Sequence, residues 1–132
     1  MGHLGLTMQL MHTIGGLKVQ GKSHDAAMRM QDDALALQDA GCFSLVLECI
    51  PNDLAKSISK SLHIPTIGIG AGLDTDGQVL VLQDLLGLTT DFKPKFVKHF
   101  SNGVDHVKTG VDKFVSEVNS GEFPSNEYSY QH

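Results

Sequence analysis

Apolar side chains in this chain recur with a helical period in four stretches and run almost unbroken in three others. Ala27, Met30, Ala34 and Leu37 share one helical face, with Ser23 as N-cap and Gly41 as the stop after about Ala40. Leu54, Ala55, Ile58 and Leu62 form a second stripe behind Pro51, with Lys56, Ser57 and Lys60 facing water. Phe92, Phe96 and Phe100 lie four apart and predict an aromatic stripe on one helix face. Val107, Val111, Phe114, Val115 and Val118 predict a last helix with one buried face, ended by Gly121. The unbroken runs are Leu45–Ile50, Thr66–Gly72 and Gly77–Leu82, which read as strands covered on both faces, and residues 2–7 read as the end of another. Gly15, Gly16 and Gly21 punctuate the loop beyond it. The polar tail from Ser125 to His132 reads as loosely ordered or docked on a partner subunit.

The resulting β-α-β-α-β-β-α order predicts an α/β fold with a parallel sheet. Three full strands and one partial strand are too few to close a barrel, which needs eight strands and about 250 residues. A small open doubly wound sheet is the alternative, though it should begin with a clean first strand.

Composition narrows the function classes. At 132 residues the chain has room for one domain with a real core, and 41% hydrophobic with 19% charged residues is a globular balance. A formal charge of −5 argues against a nucleic-acid or anionic-membrane surface. No apolar stretch approaches the roughly 18 residues of a membrane span, and the N-terminus lacks the order of a signal peptide. Cys42 and Cys49 make no disulfide framework and read as small buried hydrophobes in a reducing compartment. A cytoplasmic protein is the expectation.

Candidate chemistry begins with Glu48. A carboxylate at the C-terminal end of a buried run is costly to desolvate, and that end of an α/β sheet is where ligands bind. Two readings stand for it: a general base, or a partner for the dipole of the following helix. Ile67-Gly68-Ile69-Gly70-Ala71-Gly72 invites an anion-loop reading, but it lacks the Gly-Lys-Ser/Thr ending of a P-loop and the Rossmann spacing. Asp84, at the end of the Gly77–Leu82 strand, either supports a site or caps a loop. His12, His24, His63, His99, His106 and His132 share no metal-ligand spacing and read as surface or loop residues.

Six segments in one order carry a family resemblance: Gly2-His3-Leu4-Gly5-Leu6-Thr7, Lys18-Val19-Gln20-Gly21, Leu47-Glu48-Cys49-Ile50-Pro51, the Ile67–Gly72 run, Thr75-Asp76-Gly77-Gln78-Val79-Leu80-Val81, and Pro94-Lys95-Phe96-Val97-Lys98. Together they resemble the C-terminal half of ketopantoate hydroxymethyltransferases. The resemblance implies a (β/α)8 TIM barrel of the phosphoenolpyruvate/pyruvate superfamily. Residues 1–132 would then be a single partial barrel domain holding about strands 5–8 and the C-terminal helices. It implies hydroxymethyl transfer from 5,10-methylenetetrahydrofolate to 3-methyl-2-oxobutanoate, giving 2-dehydropantoate in pantothenate synthesis. Glu48 would be the proton acceptor and His3 a supporting residue, unless His3 merely frays near the terminus. The Mg2+ of the family would have no ligand here, because the acidic residues that bind it match the half that has no counterpart in this sequence. A homo-oligomer, or association with that other half, is implied as well. On this comparison the chain begins inside the barrel, as a fragment, a mispredicted start or a pseudogene product would. Met8 stands where the family usually has proline, loosening the turn, and Gln83 stands where it usually has histidine.

Three functions follow: an enzyme half, active only with its missing half; a non-catalytic half-barrel that self-associates through open strand edges; or a small anion-binding module using Gly68–Gly72.

Overall fold

The computed structural model describes residues 1–8 and 16–131, which form two units, residues 1–80 and 81–132. Gly15, His12 and His132, and the turn that follows Met8, lie outside the described residues.

The first unit runs β1 (Gly2–Gly5), α1 (His24–Asp39), β2 (Leu45–Glu48), α2 (Asn52–Ser61), β3 (Thr66–Ile69) and β4 (Gly77–Gln78). All four strands are parallel, in the spatial order β1-β2-β3-β4. A doubly wound sheet reverses its strand order part-way, whereas here each strand is added on the same side. With right-handed crossovers that order puts the helices on one face of the sheet.

Side-chain burial follows the pleat. Leu45 and Leu47 are fully buried, while the alternate Val46 and Glu48 are only partly covered. Thr66 and Gly68 repeat the pattern against Ile67 and Ile69. The covered face packs on Ala34 of α1 and on Leu54, Ala55, Ile58 and the following Leu62, with Ala27, Met30 and Leu37 against the same cluster. These are the helix faces that the spacing predicts. Helix α1 starts where its cap lies: the Ser23 hydroxyl accepts the Ala26 N–H at 3.3 Å. Just beyond its end Gly41 takes a left-handed φ of 88°.

Between β3 and β4 there is no helix. A four-residue strand rises about 13 Å, and residues 70–76 can return that far because an extended chain of their length reaches about 23 Å. This strap lies along α2. Asp74 pairs with Lys56 at 3.1 Å, and Gly72 sits against Asn52 so closely that a Cβ there would meet the Asn52 side chain at 2.7 Å. The Asp76 carboxylate accepts the Thr66 backbone N–H at 2.7 Å and the Thr66 hydroxyl at 2.9 Å, and Ser59 shares the Thr66 hydroxyl.

The strand expected over Gly77–Leu82 is shorter. Only Gly77–Gln78 pairs in the sheet, with the Val79 N–H adding a bond to Gly68 O, and Leu82 already belongs to the next helix.

The second unit holds α3 (Leu82–Leu86), α4 (Gly103–Ser120) and a 3-10 turn at Asn126–Tyr128. Gln83 and Asp84 therefore lie in α3, not at a strand end. Phe92, Phe96 and Phe100 do not form a helical stripe, because residues 91–101 are irregular. Pro94 is the physical reason: it has no N–H to give a helix and it biases Lys93 away from helical angles. Helix α4 forms as predicted and ends at Gly121 with φ 76°. Its expected buried face is not buried: Val107, Val111, Phe114, Val115 and Val118 are 46–59% exposed. Phe123 stacks near Phe114 at 5.6 Å and near Tyr128 at 5.9 Å, which ties the C-terminal turn to α4.

Candidate active site

Glu48 is the last residue of β2, and the chain turns there because Cys49 adopts a left-handed φ of 51°. In the parallel register Glu48 faces Gly5 of β1 and Ile69 of β3. His3 lies two positions back along β1, on the same side of the pleat, so the two side chains are diagonal neighbours. They meet: His3 Nε2 and Glu48 Oε2 are 3.0 Å apart. An ionised carboxylate can only accept, so this bond places a proton on Nε2 of His3. Among the described residues the second carboxylate oxygen has no hydrogen-bond partner.

Both groups belong to the sheet face that the helices do not cover. The Glu48 side chain is 23% exposed and that of His3 is 41% exposed, so a small molecule can reach them. Val46, Ile67 and Ile69 supply apolar neighbours on the same face. The backbone around Glu48 is tied on several sides. Leu6 N–H donates to Glu48 O, Cys49 N–H to Ile69 O, and Gln20 N–H to Cys49 O, each at 2.9 Å. Gly5 permits this approach, since a Cβ at that position would collide with the Glu48 carbonyl oxygen. Cys49 is buried, and its thiol is pushed above its ordinary value by that burial first and by the charge of Glu48 second. Beside the carboxylate it is thus a neutral, weakly polar wall.

The sequence names Glu48 and His3, and the structure brings them together. A frayed His3 is not what is seen, because Gly2–Gly5 is a paired strand. Asp84 lies on α3 of the second unit and not at a strand end. The Gly68–Gly72 run leads into the strap and not into a helix, so it lacks the helix N-terminus that a phosphate-binding loop uses. His24 and His106 are exposed on helices, and His63 and His99 lie in loops. The sequence reading missed the left-handed turn at Cys49. Cysteine has no preference for that conformation, and Ile50-Pro51 marks only that the strand must end nearby.

A model of the ketopantoate hydroxymethyltransferase family matches residues 1–126. The chain belongs to that family. Among curated members of the ketopantoate hydroxymethyltransferase family, the 3-methyl-2-oxobutanoate hydroxymethyltransferase of Bdellovibrio bacteriovorus is 55% identical over 130 residues, covering 98% of this chain and 49% of the relative. That of Legionella pneumophila strain Paris is 53% identical over 130 residues, and that of Francisella tularensis strain SCHU S4 is 49% identical over all 132. The chain spans about half the length of these relatives.

Among the described residues no three His, Cys, Asp or Glu side chains gather where they could hold a metal ion. Glu48 with His3 also makes a poor Mg2+ site, since that ion takes six oxygen ligands in a near-ideal octahedron. The described residues do not by themselves fit Mg2+. Among the same residues, no helix is long and apolar enough to cross a membrane.

Proposed function

We propose that this chain is one half of a hydroxymethyltransferase, and that Glu48 takes the C3 proton of 3-methyl-2-oxobutanoate. The observation that carries the reading is the Glu48–His3 pair, 3.0 Å apart on the uncovered face of a family member's parallel sheet. The free oxygen of Glu48 accepts the proton, while the N–H of His3 fixes the other oxygen and so the plane of the carboxylate. The C3–H electron pair passes into the enolate. C3 then bonds to the methylene carbon of 5,10-methylenetetrahydrofolate as the first of its two C–N bonds opens. Water replaces the second folate nitrogen, which leaves with a proton from that water, giving 2-dehydropantoate and tetrahydrofolate. No step is routed through Mg2+, whose ligands in this reading lie outside the chain.

The same reading takes the four strands as strands 5–8 of a (β/α)8 barrel, with the uncovered sheet face as its interior. Residues 1–132 are then a single partial barrel domain of a cytoplasmic protein. The sequential strand order supports this. The partners are the 2-oxo acid, the folate, and either the complementary half-barrel or further copies of the chain.

The test is exchange of the C3 proton of 3-methyl-2-oxobutanoate for deuterium, which needs no folate. It is run on the chain alone and on a chimera in which the chain replaces the matching half of the Francisella relative. The chimera should catalyse Mg2+-dependent exchange, and Glu48→Gln should slow it by at least about 100-fold. A folded chimera whose exchange survives Glu48→Gln would remove Glu48 from the reaction.

A further inference from the structure

We propose that Cys49 is the positioning residue for Glu48: its left-handed backbone turn, clamped by the neighbouring strand ends, holds the Glu48 carboxylate against His3. The inference rests on the reading of Glu48 as the base, and it is carried by the backbone.

Among the described residues, Cys49 is the only non-glycine residue with a positive φ. Such a conformation is uncommon for a residue with a Cβ and persists only where the surroundings over-determine it. Those surroundings are visible. The Cys49 N–H is taken by Ile69 O at the end of β3, and the Cys49 carbonyl accepts from Gln20 in the loop before α1. One residue earlier, the Glu48 carbonyl accepts from Leu6 just beyond β1. Three separate segments thus hold two consecutive peptide units, and Gly5 supplies the room on the β1 side with its own positive φ of 95°.

The turn has two consequences. It drops Ile50 into the core, where it is 2% exposed, so the chain is anchored immediately behind the bend. It also ends the pleat at Glu48, so that Glu48 is the last β2 side chain on the face it shares with His3. An extended residue at position 49 would continue the strand, carry Ile50 away from the core and turn the Glu48 backbone off its bond to Leu6. The Cys49 side chain is buried and free, and among the described residues it makes no hydrogen bond.

The test is the 15N signal of the His3 ring in the full chain, which reports a hydrogen-bonded Nε2–H without substrate or metal. The wild-type chain should show it, and Glu48→Ala should lose it. Cys49→Gly, which accepts a positive φ freely, should keep the signal. Cys49→Val, whose branched side chain resists that φ, should lose the signal and slow exchange by about 100-fold. If Cys49→Val fails to fold, Cys49→Ala against Cys49→Gly decides. The alanine variant should weaken the signal where glycine keeps it. Folded Val or Ala variants with an intact His3 signal would overturn the proposal, as would loss of the signal in Cys49→Gly. An intact wild-type signal in a chimera that exchanges no proton would count against the function of Glu48 and leave its positioning standing.

Discussion

His3 and Glu48 are close because of a parity that two strands share. His3 pairs with Val46 and Gly5 with Glu48, so both candidate side chains leave the sheet on the face opposite Leu45 and Leu47. The role of His3 follows from its bond to one carboxylate oxygen. Removing it leaves the Glu48 side chain free to rotate and removes a charge-assisted hydrogen bond, of a kind worth about 1.5–3 kcal/mol. His3→Ala should therefore slow C3 exchange in the chimera by about 10- to 100-fold with little change in substrate KM, as steady-state kinetics would show. A KM change with an unaltered maximal rate would instead make His3 a substrate-binding group. Gly5 carries a matching steric prediction. A methyl group there collides with the Glu48 carbonyl, and the φ of 95° is hostile to alanine. Gly5→Ala should cost about 1–3 kcal/mol in urea unfolding. These two residues were legible in the sequence as a motif. Their contact was not, because register alone decides which residues of neighbouring strands face each other.

At the scale of elements, α1 and α2 were readable because capping and periodicity agree: Ser23 caps α1, and Leu54, Ala55 and Ile58 bury one stripe of α2. Truncating Ile58, which has no exposed surface, should cost about 2–5 kcal/mol as Ile58→Ala. The misread elements have separate causes. Val79, Leu80 and Val81 look like strand, yet Val79 adds only one bond to β3, and Leu80 and Val81 lie beyond its end. The phenylalanine spacing is helical, but Pro94 decides against a helix. The strap over residues 70–76 has no periodic signal at all, and its attachment rests largely on polar groups. Its Asp76 carboxyl is held below the usual carboxylate range, first by the Thr66 backbone N–H and then by the Thr66 hydroxyl. A depressed folded-state pKa gives stability that is present above the unfolded value and lost as pH falls through the folded one. The wild-type chain should lose melting temperature as pH falls through the acid range below about 4. Asp76→Asn should be less stable at neutral pH and show a shallower acid decline. Equal slopes in thermal melts across that range would show that the Asp76–Thr66 bond contributes nothing.

For the whole molecule, the sequence conveyed an α/β chain with a parallel sheet, but not how much apolar surface would stay uncovered. Periodicity reports which side chains share a face and is silent on what lies against that face. In α4 the positions Val107, Val111, Phe114 and Val118 alternate steps of four and three, the spacing of a helix that meets another element along a narrow seam. All four are about half exposed, as is Val115 beside them. The solvent side of the helix is meanwhile supported by the Lys108–Asp112 pair at 2.6 Å and Lys113–Glu117 at 3.6 Å. Ion pairs of that kind add only a few tenths of a kcal/mol each, too little to keep an isolated amphipathic helix folded in water. An assembly partner for this stripe accords with the oligomer in the proposed function. Sedimentation of the 132-residue chain should show association that weakens over about a hundredfold dilution. Val111→Asp should push the equilibrium toward the smaller species with helix content retained at high concentration, since a charge in a dry seam has no compensating partner. A wild-type chain that stays monomeric throughout, with the same helical signal as Val111→Asp, would mean that α4 needs no cover.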